Sequence, residues 1–425
     1  MMLDMQKRLN NLFYATLSLP STAMGFALCI QISALSWILS TRFNLQIHEI
    51  GIVWAAGPMA GIFGQVIIGL ISDDAWFWGG RRRPFILIGG TLAALMVFLL
   101  PRIDVVGDFL GIKNILIVAV IVALTLDLSI NISFNPTRSI IADLTPEGEA
   151  RTLGYTWMQT ISGFFGVMAY LIGATVGNDM LISVGAGIVF VFSVVPMFFI
   201  KEEREMVKKT ETAAATKADW GQLWRIYIAH GFAWLGVQSM FVYTYGFIEQ
   251  HLVPAGLATK AANDMSGQII GFAFAIMNTV GFLLPALVLA PLARKIGRVH
   301  TQAGCVAIMA VGYFLIAATA RTPMMLYALM AVVGIGWSAI VSLPFAIMSD
   351  KVDKSRMGFF MGVFNLSVVL PQLMSTGVGF VLKRVPDQST LYIICGASLA
   401  MSAALWCLVK DEAPATQAAM PVSAH

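Results

Sequence analysis

The chain reads as an all-α membrane protein whose spanning helices form two six-helix halves. Three observations predict this. Of its 425 residues, 58% are hydrophobic and only 12% charged, against about 25% charged in a soluble domain, and the mean hydropathy is +0.79. The apolar residues gather into twelve runs, each about long enough to cross the roughly 30 Å of a bilayer core as a helix. Those runs divide six and six around the longest polar stretch, Lys201 to Asp219.

The runs lie approximately at 13–40, 50–72, 84–101, 114–142, 153–176, 181–200, 222–248, 266–291, 300–320, 323–349, 357–382 and 389–409. The first is too long for the apolar region of a cleaved signal and is expected to be a span. Residues 1–200 are expected to form an N-terminal six-helix bundle, 201–220 a cytoplasmic linker, 221–412 a C-terminal six-helix bundle and 413–425 a flexible tail.

Most Lys and Arg residues fall on the side of the membrane that holds the N-terminus. The opposite side has only Arg42, Arg102, Lys113, Lys260, Arg321, Lys383 and Arg384. The positive-inside rule then puts both termini and the linker in the cytoplasm. The net charge of +4 forms no basic patch, so nucleic acid is not an expected partner. The expected partners are the bilayer and a small solute, with the chain acting as a monomer. The four cysteines lack metal-ligand spacing, and there is no nucleotide loop, zinc motif or nucleophile–base set. No cofactor and no enzymatic activity are expected.

The halves echo each other. Asp73 and Arg81–Arg83 follow the second run, as Arg294, Lys295 and Arg298 follow the eighth. Pro136 to Asp143 closes the fourth run, as Pro344 to Asp350 closes the tenth, with Arg151 and Arg356 beyond. Matched halves of this kind point to a parallel-repeat transporter with its substrate site at the interface, near the midplane. Chance similarity of short basic loops is the plainer alternative.

The fourth run carries the chemistry. Asp127, Asn131, Asn135 and Arg138 are spaced 0, 4, 8 and 11 residues along it, one slowly drifting stripe at 3.6 residues per turn. Polar groups at bilayer depth are excluded from lipid contact on energy grounds, so this face is expected to line a cavity. A carboxyl there is neutral when dry and ionised when wet, as a proton-coupling group must be, with protons the coupling ion. The structural alternative for Asp127 is a permanent ion pair with Arg138, which the roughly 16 Å between them along a straight helix opposes. For Asn131 and Asn135 the alternative is hydrogen bonding between helices.

Substrate contacts are expected from Asn131, Asn135, Arg138, Gln31, Gln65, Gln238, Trp337, Asn365 and Gln372. Amides bond hydroxyls in pairs, and aromatic faces stack on sugar rings. Asp73, Arg81, Arg82, Arg83, Asp143 and Arg151 are expected to form ion pairs that close a cytoplasmic gate, the alternative being orientation by positive charge alone. Glu249 and His251 read as solvated, and His230 as structural.

The residues Trp54, Gly57, Pro58, Gly61, Gln65, Gly69, Ser72 and Asp73, followed by Gly80-Arg81-Arg82-Arg83-Pro84-Phe85-Ile86, resemble plant and bacterial sucrose–proton symporters. So do Leu126-Asp127, Asn131, Pro136, Arg138 and Ala142-Asp143-Leu144. The similarity extends to Ser342-Leu343-Pro344-Phe345-Ala346 and to Met361 through Leu366 with Pro371-Gln372. The resemblance implies a twelve-helix major facilitator fold and proton-driven uptake of a disaccharide, sucrose first, then maltose or another α-glucoside. It implies Asp127 as proton carrier and Arg138 as an aid to sugar binding or proton release, in a bacterial cytoplasmic (inner) membrane. The first and seventh runs depart from the plant pattern. No acidic residue lies between Glu49 and Asp73, which distinguishes the chain from sodium-coupled melibiose carriers. A passive sugar facilitator and an exporter of amphipathic compounds are the rival functions.

Overall fold

In the computed structural model the described residues of each apolar run lie largely in helices. The structure describes residues 6, 8–61, 76–146, 149–202, 219–349, 351–352 and 357–410. Gln65, Asp73, most of the linker and the whole tail therefore lie outside the described residues.

The first half contains α1 (Asn11–Thr41), α2 (Ile47–Trp54), α3 (Arg83–Leu99), the short α4 (Ile103–Leu110), α5 (Ile115–Leu144), α6 (Glu149–Thr175) and α7 (Asn178–Phe199). The helix of α2 resumes after a turn at Ala55 and is described to Gly61. The second half contains α8 (Trp220–His251), α9 (Thr259–Leu284), the short α10 (Ala290–Ile296), α11 (Arg298–Thr319), α12 (Pro323–Ser349), α13 (Met357–Leu382) and α14 (Thr390–Trp406). Among the described residues, nine helices are long and apolar enough to cross a membrane.

Helix starts follow local chemistry. The Asn10 side chain accepts from Phe13 N at α1, Asn114 from Leu116 N and Ile117 N at α5, and Asp219 from Gln222 N at α8. Each side chain satisfies backbone donors that have no partner within the first turn. The run at 266–291 is not one regular helix. It begins earlier, at Thr259, and passes through a π turn at Pro285–Leu289 before α10. Proline at 285 cannot donate to the turn before it, so the hydrogen-bond ladder is reset there.

Packing repeats between the halves. In the first, α1 packs on α6 and α7, and α3 on α5 and α7. In the second, α8 packs on α13 and α14, and α11 on α12 and α14. The halves meet along two equivalent seams, α2 against α13 and α9 against α6.

The apolar core has a lopsided distribution. One cluster runs through both halves, from Ile30 and Trp37 to Phe247 and Tyr392. Toward the end that carries Arg81–Arg83, the described core divides. One cluster around Phe13, Ile86 and Met197 belongs to the first half, and another around Leu223, Met348 and Trp406 belongs to the second. At the end away from those arginines the halves are stitched together. Trp37 Nε1 donates to Asn263 O at 2.7 Å, Thr376 Oγ1 donates to Gly51 O at 3.2 Å, and Lys383 Nζ lies 3.2 Å from His48 Nε2.

Candidate functional site

A cavity of about 350 Å³ lies between the halves. From the first half it is lined by Gln31 of α1, by Trp54, Gly57 and Gly61 of α2 and its continuation, and by Asp127, Asn131 and Phe134 of α5. From the second it is lined by Trp234, Gln238 and Phe241 of α8, Trp337 of α12, and Asn365 and Gln372 of α13. Every one of these side chains sits on a helix, so rigid elements fix their positions.

Asp127 is buried, with 6% of its surface exposed. Gln31 Nε2 donates to its Oδ2 at 3.1 Å, and Asn131 Nδ2 donates to the Asp127 backbone carbonyl at 2.8 Å. The carboxyl lies against Gly57, where an added Cβ would stand 3.1 Å from Oδ2. Glycine at that position lets α2 approach the acid closely. Among the described residues Asp127 has no ion-pair partner, so the permanent pair with Arg138 does not form.

Facing the acid is a set of amides and rings. Gln372 Nε2 donates to Gln238 Oε1 at 3.2 Å, and Trp337 Nε1 donates to Asn278 Oδ1 at 3.2 Å. Trp234 stands edge-on to Trp337 with centroids 5.9 Å apart, and Phe241 does the same at 5.5 Å. Trp234 Nε1 donates to His230 Nε2 at 2.9 Å, and His230 in turn stacks on Phe364. One wall thus offers hydrogen-bonding groups on both sides of a gap, and the other offers indole faces.

Seven of the expected residues meet in this cavity: Gln31, Asp127, Asn131, Gln238, Trp337, Asn365 and Gln372. Asn135 and Arg138 are not among its lining. The Arg138 guanidinium lies 4.1 Å from the centroid of the Phe134 ring, and Phe134 is itself in the wall. The polar stripe on α5 therefore runs past the cavity toward the basic end. Sequence reasoning assigned no site role to Trp234 and Asn278, nor to Trp54 beyond its place in the resemblance, since an aromatic or amide in a span is indistinguishable from packing without its neighbours.

At the basic end, Arg81 Nη2 and Arg82 Nε meet Asp143 Oδ2 at 3.0 and 3.3 Å. The backbone N–H groups of Arg81, Arg82 and Arg83 all donate to the Glu202 carboxylate, at 2.8 to 3.1 Å. Glu202 is a further residue that sequence reasoning did not single out. It closes the start of α3 from about 120 residues away, where backbone donors and the helix dipole favour an anion. Arg151 lies on α6, and its side chain lies outside the described residues, as Asp73 does.

Residues 17–376 match the Major Facilitator Superfamily. The chain belongs to that superfamily. This facilitator-superfamily chain is a multi-pass membrane transporter, not an enzyme. It is 23% identical over 388 residues to the sucrose transport protein SUC4 of Arabidopsis thaliana, covering 77% of the chain and 76% of that protein. It is 27% identical over 174 residues to the general alpha-glucoside permease of Schizosaccharomyces pombe, covering 37% of the chain and 31% of that protein. The chain thus spans less than a third of the permease and about three quarters of SUC4. Among solved structures, a mutant of the nucleoside transporter NupG superposes with a TM-score of 0.75 at 13% identity, over 93% of this chain and 99% of that one. The POT family transporter PepTSo superposes with a TM-score of 0.65 at 11% identity, over 93% and 97%. These two likenesses concern the fold.

Proposed function

We propose that this transporter imports a disaccharide together with a proton by alternating access, with sucrose the first candidate and maltose or another α-glucoside next. The observation that carries the reading is Asp127 in the wall of an inter-half cavity, opposite neutral amides and tryptophans. A neutral polyol suits amides that donate and accept, and an indole face suits the apolar side of a sugar ring. The volume lies within the usual range for small-molecule sites, about 300–1,000 Å³. The names of the relatives, a sucrose transport protein and an alpha-glucoside permease, point to the same substrate class.

Asp127 is the coupling group, loaded from one side and released to the other as the two seams rock. Asn131, Gln238, Trp337, Asn365 and Gln372 hold the sugar, Gln31 braces the Asp127 carboxyl, and Arg138 borders the release path. The basic end faces the cytoplasm, and the core divided at that end fits a cavity reached from inside. The Arg81, Arg82 and Asp143 cluster is part of the inner gate. The chain works as a monomer of two six-helix bundles in a bacterial inner membrane. One proton crossing 100 mV supplies about 2.3 kcal/mol, enough at about 1.4 kcal/mol per tenfold for roughly 40-fold accumulation.

The test is uptake of a panel of radiolabelled disaccharides into proteoliposomes, with and without an imposed pH gradient. Sucrose or an α-glucoside should accumulate only with the gradient. Asp127→Asn should abolish accumulation while the purified protein keeps its elution volume. Equal accumulation by Asp127→Asn sinks the coupling assignment. Equilibration without accumulation in the wild type would mark a passive facilitator. Extrusion of an amphipathic dye with no sugar flux would mark an exporter.

A further inference from the structure

A second cavity, of about 450 Å³, lies beyond the first at the end away from the arginine triplet. It too is shared between the halves, with Ser40 and Gln46 on one side and Tyr245, Glu249, Gln250 and Gln388 on the other. Tyr245 and Ser40 approach each other across it. Glu249 and Gln250 are exposed, so it is open to solvent.

A thin partition separates the two cavities. Trp54, in the wall of the central cavity, donates from Nε1 to Ser36 Oγ at 2.9 Å. Ser36, in the wall of the second, donates to Val242 O at 2.9 Å. This chain of two hydrogen bonds joins α2 to α1 and α1 to α8, so a change in the angle between the halves strains it.

The lining of the second cavity has a definite chemistry. Three amides offer donors and acceptors, and one carboxylate can accept from two adjacent hydroxyls. Gln388 Oε1 is buried and has no hydrogen-bond partner among the described residues. A buried acceptor in that condition is one that a ligand hydroxyl can satisfy by donating to it. Gln250 is held in place from both sides: its Nε2 donates to Pro386 O at 2.6 Å, and its Oε1 accepts from Gln388 N at 2.6 Å. The site is thus braced rather than merely solvated.

We propose that this second cavity is a sugar-docking site, in which a polyhydroxylated ligand is held by Glu249, Gln46 and Gln388 before the Trp54–Ser36–Val242 partition opens to the central cavity. The proposal rests on the reading of the transporter as a disaccharide importer and adds a second station to its path. The geometry assigns it lower affinity than the central cavity, because it offers no indole face and stays open to water.

The test is equilibrium binding of radiolabelled sucrose and maltose, up to millimolar concentration, to the purified full-length protein. The wild type should bind two sugars per chain with different affinities. Glu249→Gln and Gln388→Leu should each lose the weaker one and keep the tighter, and Asn365→Ala should weaken the tighter one alone. In proteoliposomes Glu249→Gln should raise KM about tenfold and leave kcat and the accumulation ratio unchanged. A single site in the wild type, untouched by Glu249→Gln, overturns the docking site while leaving the importer standing. Two sites that both survive Glu249→Gln and Gln388→Leu overturn it as well. No binding of either sugar overturns the importer reading and the docking site with it.

Discussion

The Gln31 amide donates to the Asp127 carboxylate at 3.1 Å, joining α1 to α5 inside the central cavity. With Asn131 Nδ2 engaged on the Asp127 backbone carbonyl, Gln31 is the carboxylate's side-chain donor among the described residues. A hydrogen bond to a charged group contributes about 1.5–3 kcal/mol. Gln31→Leu is therefore expected to lower gradient-driven uptake at least tenfold. Exchange of sugar at equal concentrations on both sides, which needs no net proton movement, should fall much less. Equal losses in the two assays would place Gln31 on the sugar rather than on the acid.

Glu202 accepts from three consecutive backbone N–H groups at the start of α3. Glu202→Ala leaves those donors without their anion, at a cost of about 1.5–3 kcal/mol. Glu202→Gln should retain part of that, since an amide oxygen still accepts but carries no charge. The expected order of melting temperatures is wild type, then Glu202→Gln, then Glu202→Ala, read from the elution profile of heated, detergent-solubilised protein. An unchanged Tm in Glu202→Ala would show that water serves these donors as well.

The fold was legible because each apolar run has the length that a bilayer demands, and hydropathy survives any detail of packing. The acid at position 127 was legible for a related reason: a charge in a span has to be placed somewhere wet. What the run lengths hide is rotation about each helix axis. Asn131 and Asn135 are one turn apart and chemically identical, yet one lines the cavity and the other does not, because the wall ends near Phe134. Glu202 stayed hidden since its partners are backbone atoms about 120 residues away, which leave no mark on the side-chain pattern. Trp234 stayed hidden because its role depends on His230 below it and Trp337 across from it.

That last trio yields its own expectation. His230 is buried and accepts the Trp234 indole N–H at 2.9 Å. His230→Leu leaves the half-buried Trp234 N–H without its acceptor, at up to about 1–3 kcal/mol, and frees the indole to turn against Trp337. KM for sugar should rise several-fold, with the accumulation ratio preserved, since His230 does not line the cavity. His230→Gln, which restores an acceptor, should recover much of the affinity. Collapse of the accumulation ratio in His230→Leu would instead assign the imidazole to the proton path.

Tyr243 of α8 reaches between the halves, where its hydroxyl donates to Ser375 O at 3.2 Å and presses against Gly51 of α2. A Cβ on Gly51 would overlap that hydroxyl, and one on Gly379 of α13 would crowd it from the other side. Only glycine leaves space there, so the two helices close around the phenol at the end away from the arginines. Gly51→Ala should therefore cost about 1–3 kcal/mol in this closed arrangement, the usual range for overpacking. Removing the hydroxyl in Tyr243→Phe gives up the bond to Ser375 but clears the space. The double variant should then be less damaged than the two single effects added together, a coupling of the kind expected of residues in contact. Alkylation of a cysteine placed at Ser40 would report the same balance: faster in Gly51→Ala, where that end opens more often, and slowed again in the double variant. Additive effects with an unchanged alkylation rate would show that the Tyr243 slot is packing alone and has no part in closing that end.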